Sequence, residues 1–77
     1  MKFWVSVYQH CGVIYEILAF KDKESAKKRF EEFIENCGGL DEIDVYDEYS
    51  YSNGDDGVFY CFDGVENEIM IEEVDVK

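Results

Sequence analysis

Residues 22–39 read DKESAKKRFEEFIENCGG, and this stretch carries the clearest periodicity in the chain. Its apolar residues fall at positions i, i+4, i+7, i+8 and i+11, which are Ala26, Phe30, Phe33, Ile34 and Cys37. One face of an α-helix gathers residues at these intervals. Asp22 suits the N-cap, and Gly38 suits the position just past the last turn. The stretch predicts an amphipathic helix over 23–37 that packs one face against a core.

The charges on this predicted helix run against the helix dipole. Basic residues cluster in its first half, whereas Glu31, Glu32 and Glu35 lie in its second half. The macrodipole favours the reverse order. Two interpretations stay open: ion pairs four residues apart that keep this face soluble, or a basic patch that folds back toward the chain's own acidic strands.

Two strand-like runs precede the helix, at residues 3–10 and 13–20, and both are rich in Val, Ile, Tyr, Phe and Trp. Cys11 and Gly12 between them favour a turn, so the two runs predict a β-hairpin. Both faces of residues 13–20 are apolar, which is typical of a strand that is covered on both sides or partly capped by aromatic residues. We therefore expect both strands to belong to the core.

After the helix the chain predicts three more strands that form a meander, near residues 42–51, 57–63 and 68–76. The connections at 52–56 and 63–67 are rich in Asn, Asp and Gly, which favour turns. The order is β-β-α-β-β-β and the fold class is α+β, with an antiparallel sheet and one amphipathic helix packed on one face. A chain of 77 residues is expected to form a single domain, 1–77.

The formal charge of the chain is −12, and it is distributed unevenly. Residues 1–39 carry six basic and six acidic side chains, whereas residues 40–77 carry 13 carboxylates against Lys77 alone. A field of this sign repels nucleic acids and anionic membranes and attracts basic partners. We therefore expect no direct contact with nucleic acid or membrane, and a partner with a basic surface.

The composition also bears on location. No apolar run in the sequence approaches the roughly 20 residues of a membrane-spanning helix, and the start of the chain shows no signal-peptide cleavage region. The three cysteines are an odd number spread one per segment, which fits reduced, mostly buried thiols better than a disulfide framework. These features predict a cytoplasmic protein.

Motifs for catalysis and for cofactors are weak. Asp, Asn and Glu cluster in the loops at 53–56 and 63–68, but neither loop has the ligand spacing of a calcium site, and turn chemistry explains both. His10 and Cys11 are neighbours without a second ligand pair. Adjacent strand residues point to opposite faces, which would place these two poorly for nucleophilic catalysis. We expect no enzyme activity, no metal and no cofactor.

Carboxylates interleave with aromatic residues in the last three predicted strands. Same-face residues of a strand lie about 6.5–7 Å apart and neighbouring strands about 4.8 Å apart, so such a sheet can array negative charge much as a nucleic acid arrays phosphates. Tyrosines beside the charges would add contact area. The predicted partner-binding residues are Asp44, Asp47, Glu48, Tyr49, Asp55, Asp56, Glu72, Glu73 and Asp75. The other interpretation is that the aromatic residues form the core and the acids simply face solvent.

In size, acidity and the alternation of Tyr with Asp or Glu on a small β-β-α-β-β-β pattern, the chain resembles phage-encoded acidic anti-CRISPR proteins and other DNA mimics. The resemblance implies an inhibitor that occupies a positively charged nucleic-acid channel, for example in a CRISPR effector complex. It lies in composition and element order, and it assigns no role to an individual residue.

Two alternatives stay open from the sequence. The first is a structural or regulatory interaction module that forms homo-oligomers through its sheet face or its helix, with acidity serving solubility alone. The second is an immunity or antitoxin protein that neutralises a basic nuclease. The protein is expected to be a monomer or a homodimer, and the sequence does not identify its partner.

Overall fold

The computed structural model describes residues 1–39, 51–63 and 66–76. Its elements are β1 (Lys2–His10), β2 (Val13–Phe20), α1 (Lys23–Asn36), β3 (Tyr51–Asn53), β4 (Val58–Phe62) and β5 (Asn67–Asp75). The predicted β-β-α-β-β-β order and the α+β class are confirmed. Most of the strand predicted at 42–51 lies outside the described residues, and so do Asp44, Asp47, Glu48 and Tyr49.

The five strands form one antiparallel sheet in the order β2-β1-β5-β4-β3. β1 lies between β2 and β5, so that Ser6 is opposite Leu18 on one side and Ile71 on the other. The register between β1 and β2 shifts between Tyr8 and Gln9, which leaves Tyr15 as the extra residue of a β-bulge. The predicted meander is confirmed by the adjacency of β3, β4 and β5, and its last strand joins the hairpin through β1.

The helix begins and ends where its capping residues predict. The Asp22 carboxylate accepts a hydrogen bond from the Ser25 backbone N–H at 2.7 Å, and this bond lowers the pKa of Asp22. At the other end Gly38 has a φ of 95°, a left-handed conformation that favours glycine, and Gly39 N–H donates to the Ile34 carbonyl.

The core lies between α1 and one face of the sheet. Its buried apolar side chains come from α1, β1, β4 and β5, and they are Trp4, Ala26, Phe30, Phe33, Phe59, Cys61, Ile69 and Ile71. The Phe59 ring packs 5.2 Å from Phe30 and 5.6 Å from Trp4, centroid to centroid. Gly54 covers the same ring so closely that an added Cβ would lie 2.6 Å from it. Aromatic packing around Phe59 therefore joins the helix to the sheet.

Two predictions from the sequence are wrong. β2 was expected in the core, but it is the outer strand of the sheet and most of its side chains are exposed. Phe20 at its end packs against the core, but the fully buried helix-facing side chains belong to β1, β4 and β5. Ser52 and Asn53 were assigned to a turn, but they belong to β3, where the Ser52 hydroxyl donates to the Val58 carbonyl at 2.8 Å.

The three cysteines are free, which agrees with the expected reduced thiols. The expectation that they are mostly buried is wrong, because Cys11 lies exposed in the turn between β1 and β2 and Cys37 is partly exposed. Cys61 is fully buried, and burial raises the pKa of its thiol to about 11. In the part of the chain that the structure describes, no helix has the length and apolar character needed to cross a membrane.

Candidate functional site

The face of the sheet opposite α1 is covered by no other described helix or strand, and we call it the open face. It consists of the odd-numbered residues of β1 and the even-numbered residues of β4 and β5, together with Ile14, Ile17 and Ala19 of β2 and Ser52 of β3. Most of these side chains are apolar. Ile17 is 63% exposed and Met70 39% exposed, so the open face presents hydrocarbon to solvent.

Two carboxylates lie within this apolar surface. Glu72 is opposite Val5 on one side and Val58 on the other, and it is exposed. Glu68 lies four residues before Glu72 on the same face of β5. It accepts a 2.7 Å hydrogen bond from the Tyr60 hydroxyl. Burial, together with this bond, raises the pKa of Tyr60 to about 12. The open face therefore combines apolar area with negative charge.

A second cluster lies where β4 begins and β5 ends, and we call it the acidic end. It consists of Asp55, Asp56, Glu72, Glu73 and Asp75, all of them exposed. The Glu73 backbone N–H donates to the Gly57 carbonyl at 2.9 Å, which holds the turn that carries the two aspartates beside β5. Glu72 belongs to both surfaces, since its side chain lies on the open face.

Part of the charge at the acidic end is paired within the chain. The Lys2 ammonium lies 3.4 Å from a Glu73 oxygen, and the N-terminal ammonium lies 3.4 Å from an Asp75 oxygen. Both pairs are exposed, and such pairs contribute about 0–1 kcal/mol each. The ion pairs described here leave Glu72, Asp55 and Asp56 without a cationic partner among the described residues, so the acidic end stays negative.

The structure thus brings together five of the nine predicted partner-binding residues. Asp55 and Asp56 lie in a turn, Glu72 on the open face, and Glu73 and Asp75 on the opposite side of the sheet. They share one end of the sheet but not one face. The other four predicted residues, Asp44, Asp47, Glu48 and Tyr49, lie outside the described residues.

Sequence reasoning missed the apolar part of this surface. Glu68 and Glu72 are four residues apart, a spacing that places them on one face of any strand. Residues 58–62 alternate in the same way and place Tyr60 on one face. The strand pattern therefore contained the signal, but strand order was needed to bring Tyr60 beside Glu68.

The turn between β1 and β2 brings together three groups that can bind metals. The ligand atoms of His10, Cys11 and Glu66 all lie within 4.8 Å of one another. The argument that neighbouring strand residues point apart fails here, because Cys11 lies in the turn with a φ of 52°. Its thiol donates to Glu66 at 3.3 Å, and this bond raises the pKa of Cys11. Because metal binding requires the thiolate and the carboxylate here favours the thiol, we assign no metal to this cluster.

A groove of about 550 Å³ lies between α1 and β3, and Phe30, Ile34, Tyr51 and Phe59 contribute to its walls. Gly39 and Tyr51, the described residues on either side of segment 40–50, both line it, and we assign no ligand to the groove.

Comparison with known proteins adds no functional information. The chain matches no protein-family model, no curated protein and no solved structure. The open face and the acidic end are therefore the features of the molecule from which a function is inferred.

Proposed function

We propose that this protein is an inhibitory binding protein that occupies a basic, nucleic-acid-binding surface of a partner. The contact is made by the acidic end together with the adjoining open face. The observation that carries the proposal is the position of Glu72, which lies in the acidic end and on the open face, between Val5 and Val58. A partner that covers this point meets apolar surface and negative charge together.

The apolar surroundings support a protein partner with exposed Lys or Arg. The valines beside Glu72 would exclude water from a basic side chain that pairs with it. Ion pairs strengthen as the local dielectric constant falls. Tyr60 adds an aromatic side chain of the kind enriched in protein interfaces. The apolar area supplies affinity, and the carboxylates select the basic target.

The charge distribution supports steering toward that target. Because all of the net charge arises from residues 40–77, a basic surface is attracted to one part of the molecule. Such steering raises the association rate and weakens as salt rises. A CRISPR effector complex is one target with such a basic surface, because its channel holds nucleic acid through basic side chains.

The test is a matched pair of charge-reversed variants of the immobilised protein. The first carries Asp56→Lys and Glu72→Lys, at the acidic end. The second carries Glu31→Lys and Glu32→Lys, on the exposed face of α1, and changes the net charge by the same amount. Both are exposed to a bacterial lysate at low and at high salt, and the retained proteins are identified and tested for nucleic-acid binding.

We expect the wild type and the α1 variant to retain the same basic proteins at low salt and to release them at high salt. The acidic-end variant should retain none of them. Added wild-type protein should displace nucleic acid from the retained partner. If the acidic-end variant retains the same partners, or if the two variants lose them equally, the proposed contact surface is wrong.

A further inference from the structure

The outer strand β2 exposes more large apolar side chains than the chain's other described elements. Among the large hydrophobic residues that are exposed, five lie on this strand: Val13 at 57%, Ile14 at 54%, Tyr15 at 66%, Ile17 at 63% and Leu18 at 38%. They occupy both faces, since Leu18 is opposite Ser6 on the helix-covered side and Ile17 is opposite Val7 on the open face. A strand that only borders a core exposes one of its faces, whereas β2 exposes both.

Apart from the bulge at Tyr15, β2 has little of what protects sheet edges. Its eight residues contain no proline and no lysine, and its one charge, Glu16, is paired with Arg29 at 2.9 Å. On its outer side no other described strand pairs with it. An edge that is long, apolar and unpaired presents backbone N–H and C=O groups that another strand can bind.

From this edge we infer that two copies of the chain associate through β2, with the two strands antiparallel about a two-fold axis. An antiparallel pair of identical strands is self-complementary, so the contact closes with a single partner. The axis is perpendicular to the sheet. The result is a continuous sheet across both copies, with both helices on one side and both open faces on the other.

The charge distribution favours a second copy at this edge. The segment that contains β1, β2 and α1, residues 1–39, carries six acidic and six basic side chains. In the paired sheet the β5 strands are separated by β1 and β2 of each copy, which is about 24 Å at about 4.8 Å per strand step. This exceeds the Debye length of about 8 Å at physiological salt. The acidic strands of the two copies therefore repel each other little.

Stacking of two open faces is less favourable, because it would take Glu68 and Glu72 of both copies out of water in one interface, and burying carboxylates without a cationic partner is costly.

Two lysine substitutions separate edge pairing from face stacking. Leu18→Lys places a charge at the β2 edge on the helix-covered side, away from the open face. Met70→Lys places the same residue at a side chain of similar exposure on the open face of β5, away from the edge. Sedimentation equilibrium over a range of protein concentrations measures the dissociation constant of each dimer.

We expect the wild type to form a dimer. Leu18→Lys should raise its dissociation constant at least about tenfold, which corresponds to about 1.4 kcal/mol. Met70→Lys should change the dissociation constant little. Higher salt should leave the wild-type dimer intact or strengthen it. A monomeric wild type, or a dimer that Met70→Lys dissociates and Leu18→Lys does not, overturns the inference. Neither outcome affects the charge-reversal test of the acidic end, because that test measures which partner proteins are retained.

A measurement on the wild type alone guards against a variant that fails to fold. Amide hydrogen exchange is followed at protein concentrations below and above the dissociation constant. Pairing through β2 slows exchange of amides in Val13–Phe20 at the higher concentration and leaves those of Tyr51–Asn53, at the other edge, unchanged. Equal exchange in β2 at both concentrations contradicts the pairing.

Discussion

The two faces of the sheet differ in how they are covered more than in how apolar they are. On the covered face, Phe59, Ile69 and Ile71 are at most 1% exposed. On the open face, the alternate residues of the same strands include Met70, which is 39% exposed, and Tyr60 and Phe62, which are partly exposed. Both faces of these strands contain large apolar side chains, and one helix covers one face. The difference teaches that the position of α1, rather than hydropathy, separates core from candidate binding surface.

The largest effect is expected from the two phenylalanines of β4. Phe59→Ala on the covered face removes a buried ring that contacts Trp4 and Phe30, and we expect it to lower the free energy of unfolding by about 3–5 kcal/mol. Phe62→Ala on the open face should cost about half of that or less, because the ring is partly exposed. Urea unfolding of both variants measures the difference, and equal losses would contradict an uncovered open face.

The second effect concerns alkaline pH and the open face. Burial and the bond to Glu68 raise the pKa of Tyr60 to about 12, above its ordinary value of 10. Between pH 10 and pH 12 the unfolded phenol loses its proton while the folded one keeps it, so the folded state loses stability as pH rises through this window. We expect Tyr60→Phe to flatten the fall in stability between these values.

The pH dependence is measured by thermal unfolding from pH 8 to pH 12. Tyr15→Phe is the matched control, because Tyr15 is a tyrosine that is 66% exposed. If stability falls as steeply with pH in Tyr60→Phe as in the wild type, the result argues against a buried Tyr60 hydroxyl that is hydrogen-bonded to Glu68. A fall that Tyr15→Phe flattens equally would assign the effect to surface tyrosines in general.

The smallest effect is expected from a buried hydroxyl on the covered face. Ser6 is fully buried, and its Oγ has no hydrogen-bond partner among the described residues. Leaving a buried polar group without a partner costs about 1–3 kcal/mol, so Ser6→Ala should raise the free energy of unfolding by up to about 1 kcal/mol. The matched change Ser52→Ala removes a hydroxyl that donates to Val58 and should lower it. Chemical denaturation of the two variants tests whether they differ in sign.

The two interaction surfaces inferred for the protein are compatible in space. Pairing through β2 uses the outer edge, whereas Glu72 lies on β5, on the far side of β1. A dimer would present both open faces on one side, so that a partner with two basic sites would gain from binding both copies. A monomeric variant such as Leu18→Lys would then capture the partner more weakly without losing the contact itself.

Much of the candidate site was predictable as single residues, but its shape was not. The acidic character of Glu72, Glu73 and Asp75 is read directly from the sequence. Their division between two faces follows from strand alternation, which the sequence also contains. That Asp55 and Asp56 lie beside them depends on the register of β4 with β5. The apolar open face could not be predicted, because a sequence does not show which side of a strand a helix will cover.

By itself the sequence determined the elements whose causes are local. The helix at Lys23–Asn36 follows from the spacing of its apolar residues and from Asp22 and Gly38 at its ends. The turn at Cys11 and Gly12 and the concentration of charge after residue 39 are equally explicit. Tertiary structure alone decided that β1 pairs with β5, that β2 becomes an edge and that one face of the sheet stays open. These outcomes depend on contacts between residues far apart in the chain, such as Tyr8 with Ile69, 61 positions apart, and Lys2 with Asp75, 73 positions apart. Local periodicity does not encode such pairings.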